Sequence, residues 1–501
     1  MLTTDPVVVD RATRARAVAR ARERGVVLPT FSQLADPTQI PAERLKTLNS
    51  VAPDESSAHN LWRMHWFNGE DRKTRVDVPG YVVLPEALTG VKAPIVVLLG
   101  RRFPMIGAHK VLPAYAGLVT QVVTGQFDPA ENKAIWPSTG NYCRGGVAVS
   151  RIMGCRGVAV LPAGMSKERF AWLEAQVSHP DDIIRTPGTE SNVKEIYDKC
   201  AELEKDSKNI ILNQFSAFSN YLVHYISTGK AAEQAFLSHK GSSDKRLAAF
   251  VSATGSAGTI AAGDYLKTKH GTRIAAVEAL ECPTLLENGF GEHNIQGIGD
   301  KHVPLIHNVM NTDFVIAVSD RVSDQLNLLF GGTVGRGYLA TRRGLDKDLI
   351  ADLSDVGISS FGNIAAAIKL AKHMHYGEND VIVTVATDSA GLYVSEREQY
   401  RLKHYPKGFD EVHAGEIFGS CITGIANDHV LELTEVDRRR VFNLGYFTWV
   451  EQQGVRVEDF EARRSQSFWE GIVKSIPAWD RLIEEFNAET LSAGHARMAA
   501  I

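Results

Sequence analysis

Between residues 80 and 400, short apolar segments alternate with segments of helical periodicity, and this alternation leaves few possible folds. Eight of the apolar segments are predicted strands: 94–99, 157–161, 182–185, 210–212, 247–251, 274–278, 314–318 and 381–385. Strands that are apolar on both faces are typical of a parallel sheet with helices on both sides. The sequence therefore predicts an α/β core over residues 81–405.

The segments on either side of this core lack the alternation and form two predicted extensions, 1–80 and 406–501. The first begins with an arginine-rich helical stretch at 10–24, and the second contains amphipathic helical patterns at 435–440 and 465–490. Trp62, Trp66 and Phe67 lie close together in the first extension. We expect them to be buried, either against the core or against a second subunit.

Charge and cysteine content exclude several classes of protein. Lys and Arg number 55 against 59 Asp and Glu, and no basic tract is present, so nucleic acid is not an expected partner. No apolar run approaches the roughly 20 residues of a membrane-spanning helix. Residues 1–24 lack the apolar segment of a signal peptide, which favours the cytoplasm. The five cysteines show no C-x-x-C spacing and predict neither disulfides nor a metal site.

One lysine, Lys110, stands between the predicted strand 94–99 and an apolar helical segment at 111–119. Burial of an ammonium group is costly, so such a lysine is either paired or lowered in pKa and used as an amine nucleophile. The ordinary alternative is a lysine whose stem packs while its head reaches water. Lys110 is therefore a candidate catalytic residue.

A hydroxyl- and glycine-rich loop, 137–146, precedes the helical segment 147–153. Exposed N–H groups at a helix start, together with Ser and Thr hydroxyls, bind carboxylate or phosphate groups. A Ser or Thr in this position also serves as a simple helix cap. The loop is a candidate anion-binding site if these groups bind a ligand, and a simple helix cap if they do not.

A second loop of small residues, 252–260, follows the predicted strand 247–251 and precedes another helix, an arrangement that lets backbone amides surround a phosphate. Gly255 and Gly258, with Glu278 some twenty residues later, also suggest part of a dinucleotide fingerprint. In that fingerprint, however, the first glycine would fall on Ala253. A single phosphate therefore fits the loop better than a pyrophosphate.

Seven segments in a fixed order resemble the cysteine synthase and cystathionine β-synthase family of pyridoxal-phosphate enzymes. They are Lys110, the loop 137–146, Asn213-Gln214-Phe215, the loop 252–260, and the segments 295–299, 357–360 and 388–393. The resemblance covers about residues 80–400 and neither extension. It implies the two-domain tryptophan synthase β-like fold, with parallel-type sheets covered by helices, and pyridoxal 5'-phosphate as cofactor. It also implies a small amino-acid substrate and a homodimer.

The same resemblance implies a role for each matching residue. Lys110 becomes the Schiff-base lysine and proton acceptor, Asn141 the partner of the cofactor's phenolic oxygen, and Ser389 the residue facing the pyridine nitrogen. The phosphate group is assigned to Gly255, Ser256, Ala257, Gly258 and Thr259. The substrate is assigned to Ser138, Thr139, Gly140, Gln214 and Gly297.

The implied reaction is β-elimination or β-replacement on a β-substituted L-alanine, such as cysteine or an O-acylserine, through an aminoacrylate intermediate. A serine at the ring nitrogen cannot stabilise a protonated pyridine ring, so the negative charge of the α-carbon is poorly delocalised into the ring. This favours elimination over transamination or racemisation. The family also implies that residues 135–235 form a mobile subdomain that closes over the substrate. Two alternatives remain open: a non-catalytic or regulatory protein of the same fold, and a nucleotide-binding oxidoreductase.

The chain departs from the family pattern at three places. Val111-Leu112 follows the lysine where Asp-Arg is usual, Tyr142 and Arg144 replace small residues in the substrate loop, and Ser256-Ala257 replaces Thr-Gly. Tyr142 pointing into the site would crowd the small substrates of the family, and Arg144 would add a cation. The alternative is that both side chains point away into helix packing.

Overall fold

Two β-sheets with helices on their faces form the core of the protein. The structure is a computed structural model and describes residues 5–299 and 301–498. The described strands are β1 (Tyr81–Leu84), β2 (Ile95–Leu99), β3 (Lys133–Pro137), β4 (Arg156–Pro162), β5 (Ile183–Thr186), β6 (Asn209–Ile211), β7 (Arg246–Ala253), β8 (Arg273–Ala279), β9 (Phe314–Val318), β10 (Asp380–Ala386) and β11 (Val430–Glu432).

The larger sheet has the order β1-β2-β10-β7-β8-β9-β11, and the smaller sheet has the order β5-β4-β3-β6. Neighbouring strands are parallel throughout the smaller sheet and from β2 to β9 in the larger one. The edge strands β1 and β11 pair antiparallel with their neighbours. This arrangement confirms the predicted α/β class with parallel-type sheets. The smaller sheet is built from residues 133–211, which make up most of the segment 135–235 that is expected to move.

All eight predicted strands are present, with ends shifted by no more than two residues. The sequence pattern missed β1, β3 and β11. Strand β3 begins at Lys133 and ends at Pro137, so its apolar run is only three residues long. Strands β1 and β11 are short edge strands with partly exposed residues, and they lack the fully apolar signature of an interior strand.

The helices surround the two sheets and also build the extensions. They are α1 (Arg11–Glu23), α2 (Phe31–Ala35), α3 (Ala42–Leu48), α4 (Glu86–Thr89), α5 (Val111–Thr124), α6 (Asn141–Met153), α7 (Lys167–Gln176), α8 (Val193–Leu203), α9 (Phe218–Val223), α10 (Gly229–Lys240), α11 (Ala261–His270), α12 (Thr284–Glu287), α13 (Asp320–Gly331), α14 (Thr333–Thr341), α15 (Lys347–Ser354), α16 (Ile358–His373), α17 (Val394–His404), α18 (Glu411–Phe418), α19 (Glu435–Tyr446), α20 (Val457–Ala462), α21 (Gln466–Lys474) and α22 (Ile476–Met498). Among the described residues, none of these helices has the length and apolarity that a membrane span requires.

The two extensions are far apart in sequence but pack together against the core. Arg22 of α1 donates to the carbonyl oxygens of Glu489 and Thr490 in α22, at 2.7 and 3.0 Å. The hydroxyl of Tyr115 in α5 donates to the carbonyl oxygen of Pro29 at 2.6 Å. Helices α1 and α22 both contact α5, whose residues are buried with the exception of Gln121. The extensions therefore cover the helix that follows Lys110.

The aromatic cluster of the first extension is buried within this chain. Trp62 and Trp66 are 4% and 1% exposed, and the indole N–H of Trp66 donates to Thr228 Oγ1 at 2.9 Å. Their burial against the core confirms the first of the two predicted arrangements. All five cysteines are buried and free.

Candidate functional site

Lys110 lies immediately before α5, at the end of the loop that leaves β2. Its ammonium group donates to Gln214 Oε1 and to Ser256 Oγ, each at 2.8 Å. Gln214 follows the smaller sheet, whereas Ser256 follows β7 of the larger sheet. The lysine therefore bridges the two sheet units through its side chain.

A cavity surrounds this lysine at the carboxyl ends of strands β2, β3, β7 and β10. We call it the central cavity; its lining is His109, Lys110, Ser138, Thr139, Asn141, Tyr142, Glu190, Gln214, Phe215, Ser252, Ala253, Gly255, Ser256, Ala257, Gly258, Thr259, Gly297, Ile298, Asn363, Thr387 and Asp388. Because the carboxyl ends of parallel strands share one edge of a sheet, loops from distant segments meet there. The structure thus brings together every predicted site residue except Gly140 and Ser389.

The loop from Gly255 to Thr259 connects β7 to α11 and has the shape of a backbone cradle. A Cβ atom on Gly258 would collide with Asn220 Oδ1, and one on Gly255 would lie 2.7 Å from the carbonyl oxygen of Gly297. Ala257 adopts a φ of 59°, in the left-handed region. The backbone amides and the Ser256 hydroxyl form a donor set that fits the phosphate of pyridoxal phosphate.

His109 holds this cradle against the larger sheet. Its Nδ1 lies 3.1 Å from the carbonyl oxygen of Thr387, and its Nε2 lies 3.1 Å from Thr259 Oγ1. Burial lowers the pKa of His109 to about 3, so the ring is neutral and carries a single N–H. A carbonyl oxygen can only accept, so the N–H is on Nδ1 and Nε2 accepts from Thr259.

The predicted substrate loop begins α6 and has its own buried partners. Thr139 Oγ1 donates to Glu190 Oε1, and Asn141 Nδ2 donates to Asp388 Oδ2 at 2.6 Å. Gly140 does not line the cavity; it has a φ of 150°, and a Cβ atom there would lie 2.6 Å from Arg169 Cδ. Glycine at 140 therefore allows the close approach of Arg169 beneath the loop.

Tyr142 and Arg144, the two unusual residues of this loop, have different surroundings. The ring of Tyr142 packs edge-on against Trp136 at 5.3 Å, and the Tyr142 hydroxyl approaches Gly117 of α5. Burial raises the pKa of Tyr142, which keeps its hydroxyl protonated. Tyr142 therefore lies in the helix packing, with part of its surface at the cavity wall.

Arg144 positions Asn141 from outside the central cavity. Its Nη1 donates to Asn141 Oδ1 at 3.0 Å, and its guanidinium lies 4.9 Å from the centre of the Trp172 ring. Burial lowers the pKa of Arg144 to about 9. The donated hydrogen bond fixes the orientation of the Asn141 amide, so that its NH₂ group points to Asp388.

Ser389 does not lie where the sequence analysis places it. Its hydroxyl donates to Asp355 Oδ1 at 2.5 Å, outside the central cavity. Thr387 instead follows β10 directly and lines the cavity, with its Oγ1 3.0 Å from Ser359 Oγ. Ser389 begins the short turn Ala390–Leu392, where its Oγ also accepts from the Gly391 N–H, so the chain has left the strand direction at this residue. Of the two hydroxyl residues that follow β10, Thr387 is the one that lines the cavity.

A second cavity, which we call the arginine cavity, lies beside the first and has a volume of about 580 Å³. Its lining is Asp54, Glu70, Arg72, Arg101, Arg102, Met105, Ile106, Gly107, Arg144, Trp172, Asp355, Ser389, Gly391 and Leu392. Arg72 pairs with Asp54 at 2.7 Å, and Arg101 pairs with Asp355 at 3.2 Å. The first extension and the core both contribute to its wall.

Two residues that the sequence analysis missed, Arg169 and Glu190, complete a buried network beneath the substrate loop. Arg169 is fully buried and donates to Gln296 Oε1 at 2.7 Å and to the Tyr393 hydroxyl at 2.8 Å. Tyr393 in turn donates to Asp388 Oδ2 at 2.6 Å. Arg169 belongs to α7 beside the smaller sheet, whereas its partners belong to the larger unit. This network therefore joins the two sheet units, as the Lys110 contacts also do.

Glu190 stands in the loop between β5 and α8 and is 1% exposed. Burial raises its pKa to about 7, although Arg169, the hydrogen bond from Thr139 and the nearby backbone N–H of Gly297 act in the other direction. Its position after a parallel strand is a usable sequence signal, since loops at the carboxyl ends of such strands converge. Arg169 lies within a helix and carries no comparable signal.

Glu278, the acidic residue of the dinucleotide alternative, is engaged elsewhere. Its two carboxylate oxygens accept from the backbone N–H groups of Leu285 and Leu286, both at 2.8 Å. The residue is 2% exposed and does not line the central cavity. The structure therefore gives no support to a ribose-binding role for Glu278.

Comparison with known proteins extends over the region that builds this site. The sequence model of the family described as "Pyridoxal-phosphate dependent enzyme" matches residues 86–388. Cysteine synthase B of Campylobacter jejuni is 31% identical over 246 residues, which are 48% of this chain and 71% of that protein. A probable cysteine synthase of Bacillus subtilis is 28% identical over 292 residues, 58% of this chain and 85% of that protein.

Two solved structures illustrate the fold. An O-acetylserine-dependent cystathionine β-synthase from Helicobacter pylori superposes with a TM-score of 0.52 and 23% identity, covering 63% of this chain and 94% of that one. A hydrogen sulfide-producing enzyme from Fusobacterium nucleatum superposes with a TM-score of 0.53 and 21% identity, covering 66% of this chain and 99% of that one. At such identities the likeness shows the shared fold alone.

Proposed function

The chain belongs to the family of pyridoxal-phosphate-dependent enzymes, and from this membership we propose that it catalyses β-elimination or β-replacement on a β-substituted L-alanine. The relatives named above are cysteine synthases, and one structural neighbour is named for its dependence on O-acetylserine. O-Acylserines are therefore the first substrate class to test. The observation that carries the proposal is Lys110, whose ammonium group lies between the phosphate cradle and Gln214.

The residues present divide the work of holding the cofactor. Gly255 to Thr259 would bind its phosphate, Asn141 its phenolic oxygen and Lys110 its aldehyde carbon. Thr387 would face the ring nitrogen, the place that the sequence analysis gives to Ser389, because Thr387 is the hydroxyl residue at the cavity after β10. When bound, the cofactor withdraws electrons from the substrate's α-carbon and so acidifies the proton there.

The chain supplies the acid–base and binding groups of the reaction. Lys110 accepts the α-proton, because an amine within hydrogen-bond reach of both loops can contact a substrate held between them. The backbone N–H groups at the start of α6 and the side chain of Gln214 hold the substrate carboxylate. A neutral hydroxyl such as Thr387 supplies no negative charge to hold a protonated ring nitrogen, which favours loss of a β-substituent over racemisation.

Two measurements test the proposal. The purified protein should absorb near the visible range as a lysine-bound pyridoxal derivative, and borohydride should bleach this absorbance and label Lys110. With O-acetyl-L-serine, the holoenzyme should release pyruvate and ammonia alone, or form cysteine when sulfide is added. A colourless protein that does not take up pyridoxal phosphate, or one inert towards β-substituted alanines, contradicts the proposal and favours a regulatory role for the fold.

Movement of residues 135–235 over the substrate is part of the same proposal. Its support is that Thr139 and Gln214 belong to this segment, whereas the phosphate cradle belongs to the larger unit, so a bound substrate bridges both. Hydrogen exchange should show protection gained at 138–142 and around Gln214 when a non-reactive amino-acid analogue binds. Protection confined to 255–259 contradicts the movement.

The homodimer and the cytoplasmic location also remain proposals, and both are supported by the family resemblance and by composition. Sedimentation of the holoenzyme measures the first. A sedimenting species with the mass of one 54.9 kDa chain would contradict it.

A further inference from the structure

Glu190 is a buried acid at the wall of the central cavity, in the same lining as Lys110 and Thr139. None of the roles implied by the family resemblance uses an acid at this position. The residue lies in the loop that follows β5, and its Oε1 accepts the Thr139 hydroxyl proton. Glu190 therefore touches the loop that is proposed to hold the substrate.

The two carboxyl oxygens of Glu190 differ in their surroundings. Oε2 is buried and makes no hydrogen bond of ordinary geometry with the described residues, although the backbone N–H of Gly297 is near enough to oppose the rise in pKa. The nearest cation, Arg169, places Nη1 3.9 Å from Oε2, beyond hydrogen-bond distance, and directs that nitrogen to Gln296 Oε1 at 2.7 Å. A buried carboxylate with one poorly paired oxygen is costly, so the proton is favoured on this group.

The charged and titratable groups around Glu190 come from three elements. Arg169 faces it from α7, Lys110 from the start of α5, and Tyr393 from the turn before α17. The two cations oppose protonation, yet burial outweighs them and brings the pKa of Glu190 to about 7. The group can thus exist as an acid or as a base near neutral pH, which suits proton transfer.

We propose, building on the function proposed above, that Glu190 is the catalytic acid that protonates the departing β-substituent. The substrate class then includes β-substituted alanines whose substituent leaves as a stronger base than acetate, namely hydroxide from L-serine, hydrosulfide from L-cysteine, and the alkoxides or thiolates of their ethers. Acetate and chloride depart as weak bases and need no proton. Glu190 therefore extends the substrate range beyond O-acylserines.

The step balances without another reagent. Lys110 accepts the α-proton, the C–O or C–S bond at the β-carbon breaks with its electron pair on the heteroatom, and a double bond forms between the α- and β-carbons. The Glu190 carboxyl proton moves to the departing heteroatom, which leaves as water from L-serine, as hydrogen sulfide from L-cysteine, or as an alcohol or thiol from their ethers. The resulting carboxylate keeps the hydrogen bond from Thr139 and the attraction of Arg169 until solvent returns its proton.

The test is a leaving-group comparison on the holoenzyme. Glu190→Gln should lower kcat for L-serine and L-cysteine by about 10² to 10⁴-fold, the usual contribution of a general acid. The loss on O-acetyl-L-serine and β-chloro-L-alanine should be at least about tenfold smaller, because the leaving groups of these substrates need no protonation. Equal losses on both groups of substrates would overturn the proposal and would make Glu190 a positioning residue for Thr139.

Glu278→Gln is the matched control. Glu278 is also buried and also has its pKa raised to about 7 by burial, but it binds backbone N–H groups outside the cavity. This variant should affect all four substrates alike. A selective loss on L-serine and L-cysteine in Glu278→Gln as well would contradict the assignment to Glu190. If Glu190→Gln does not fold, Glu190→Asp, which keeps an acid but shortens it, should show a smaller selective loss.

Two further readouts separate the inference from the function on which it rests. The infrared difference between wild type and Glu190→Gln should contain a protonated carboxyl band that disappears near pH 7, because the bands of Glu278 and Asp324, whose pKa values burial also raises, cancel in the difference. For L-serine, kcat/KM should fall as the pH rises through about 7, because Glu190 loses the proton that the leaving group needs. With O-acetyl-L-serine this fall should be absent. A holoenzyme that turns over O-acetyl-L-serine but neither L-serine nor L-cysteine overturns the inference alone, whereas one inert on every substrate overturns both.

Discussion

The central cavity and the arginine cavity adjoin each other near Arg144 but hold their charges in different environments. In the central cavity and the network beneath it, Arg169, Glu190 and Asp388 are all at most 1% exposed. In the arginine cavity, the carboxylates that pair with the arginines are open to water: the side chains of Asp54 and Asp355 are 68% and 49% exposed. The buried charges of the central cavity are stabilised only by their protein partners, whereas the exposed carboxylates of the arginine cavity are screened by solvent.

This difference shows why the number of charges is a poor guide to the functional site. The arginine cavity is larger and has more ionisable residues, yet water stabilises the carboxylates of Asp54 and Asp355 that pair with its arginines. In the central cavity burial shifts the pKa of Glu190 to about 7 and raises that of Asp388. Shifted pKa values together with convergent polar groups are typical of catalytic sites. The following variants test the contrast, in order of expected effect.

Lys110→Ala should have the largest effect. We expect turnover to fall by at least about 10³-fold while the protein still folds, because the variant loses both the covalent attachment and the proton acceptor. Steady-state kinetics and borohydride labelling check this. Lys133→Ala, which alters the first residue of β3, is the control and should stay active. Activity in Lys110→Ala with label found on Lys133 would refute the assignment.

Arg169→Met should destabilise the protein by about 3–5 kcal/mol, since it leaves the buried Glu190 and Asp388 without their cation. Urea unfolding measures the change. Arg439→Met removes an exposed arginine paired within one helix and should cost less than about 1 kcal/mol. Similar losses in the two variants would mean that burial does not separate the two kinds of charge.

Glu190→Gln should change how stability depends on pH. The folded-state pKa of Glu190, about 7, lies above its ordinary value of 4.5, so the folded wild type binds this proton more tightly than the unfolded chain. Its contribution is fully present below pH 4.5 and is lost as pH rises through 7. The free energy of unfolding of the variant minus that of the wild type should therefore increase between pH 4.5 and pH 7, by at most about 3 kcal/mol.

Unfolding of both proteins in urea at several pH values checks this prediction. Other shifted groups, such as Asp324 and Glu278, are common to both chains and cancel in the difference. A constant difference from pH 4 to pH 8 would show that burial does not raise the pKa of Glu190.

Ser389→Ala should have the smallest effect, with turnover within about threefold of the wild type, because this hydroxyl binds a half-exposed carboxylate in the arginine cavity. Thr387→Ala removes a hydroxyl of the central cavity and should cost about five- to tenfold, the equivalent of one hydrogen bond. Parallel kinetics of the two variants decide the matter. A larger loss in Ser389→Ala would return the ring nitrogen to Ser389.

Much of the fold and part of the site follow from the sequence. Interior strands such as β2 and β9 are apolar throughout, so their pattern alone locates them and predicts parallel pairing. The family resemblance groups Lys110, Thr139 and Ser256 in one site, and the structure gives the physical reason, because each lies in a loop that follows a strand of the two sheets. No such pattern predicts the contact of the two extensions over α5, because it joins segments more than 400 residues apart.

Sequence by itself determined which segments build the cavity, and tertiary structure decided which atoms face it. Ser389 and Thr387 are both hydroxyl residues within three positions, and only the path of the backbone after β10 sends one to the cavity and the other away. Glu190 is an ordinary glutamate in the sequence. It becomes an acid with a pKa near 7 because packing removes water from its carboxyl group, and Arg169 and Lys110 do not fully replace the lost stabilisation.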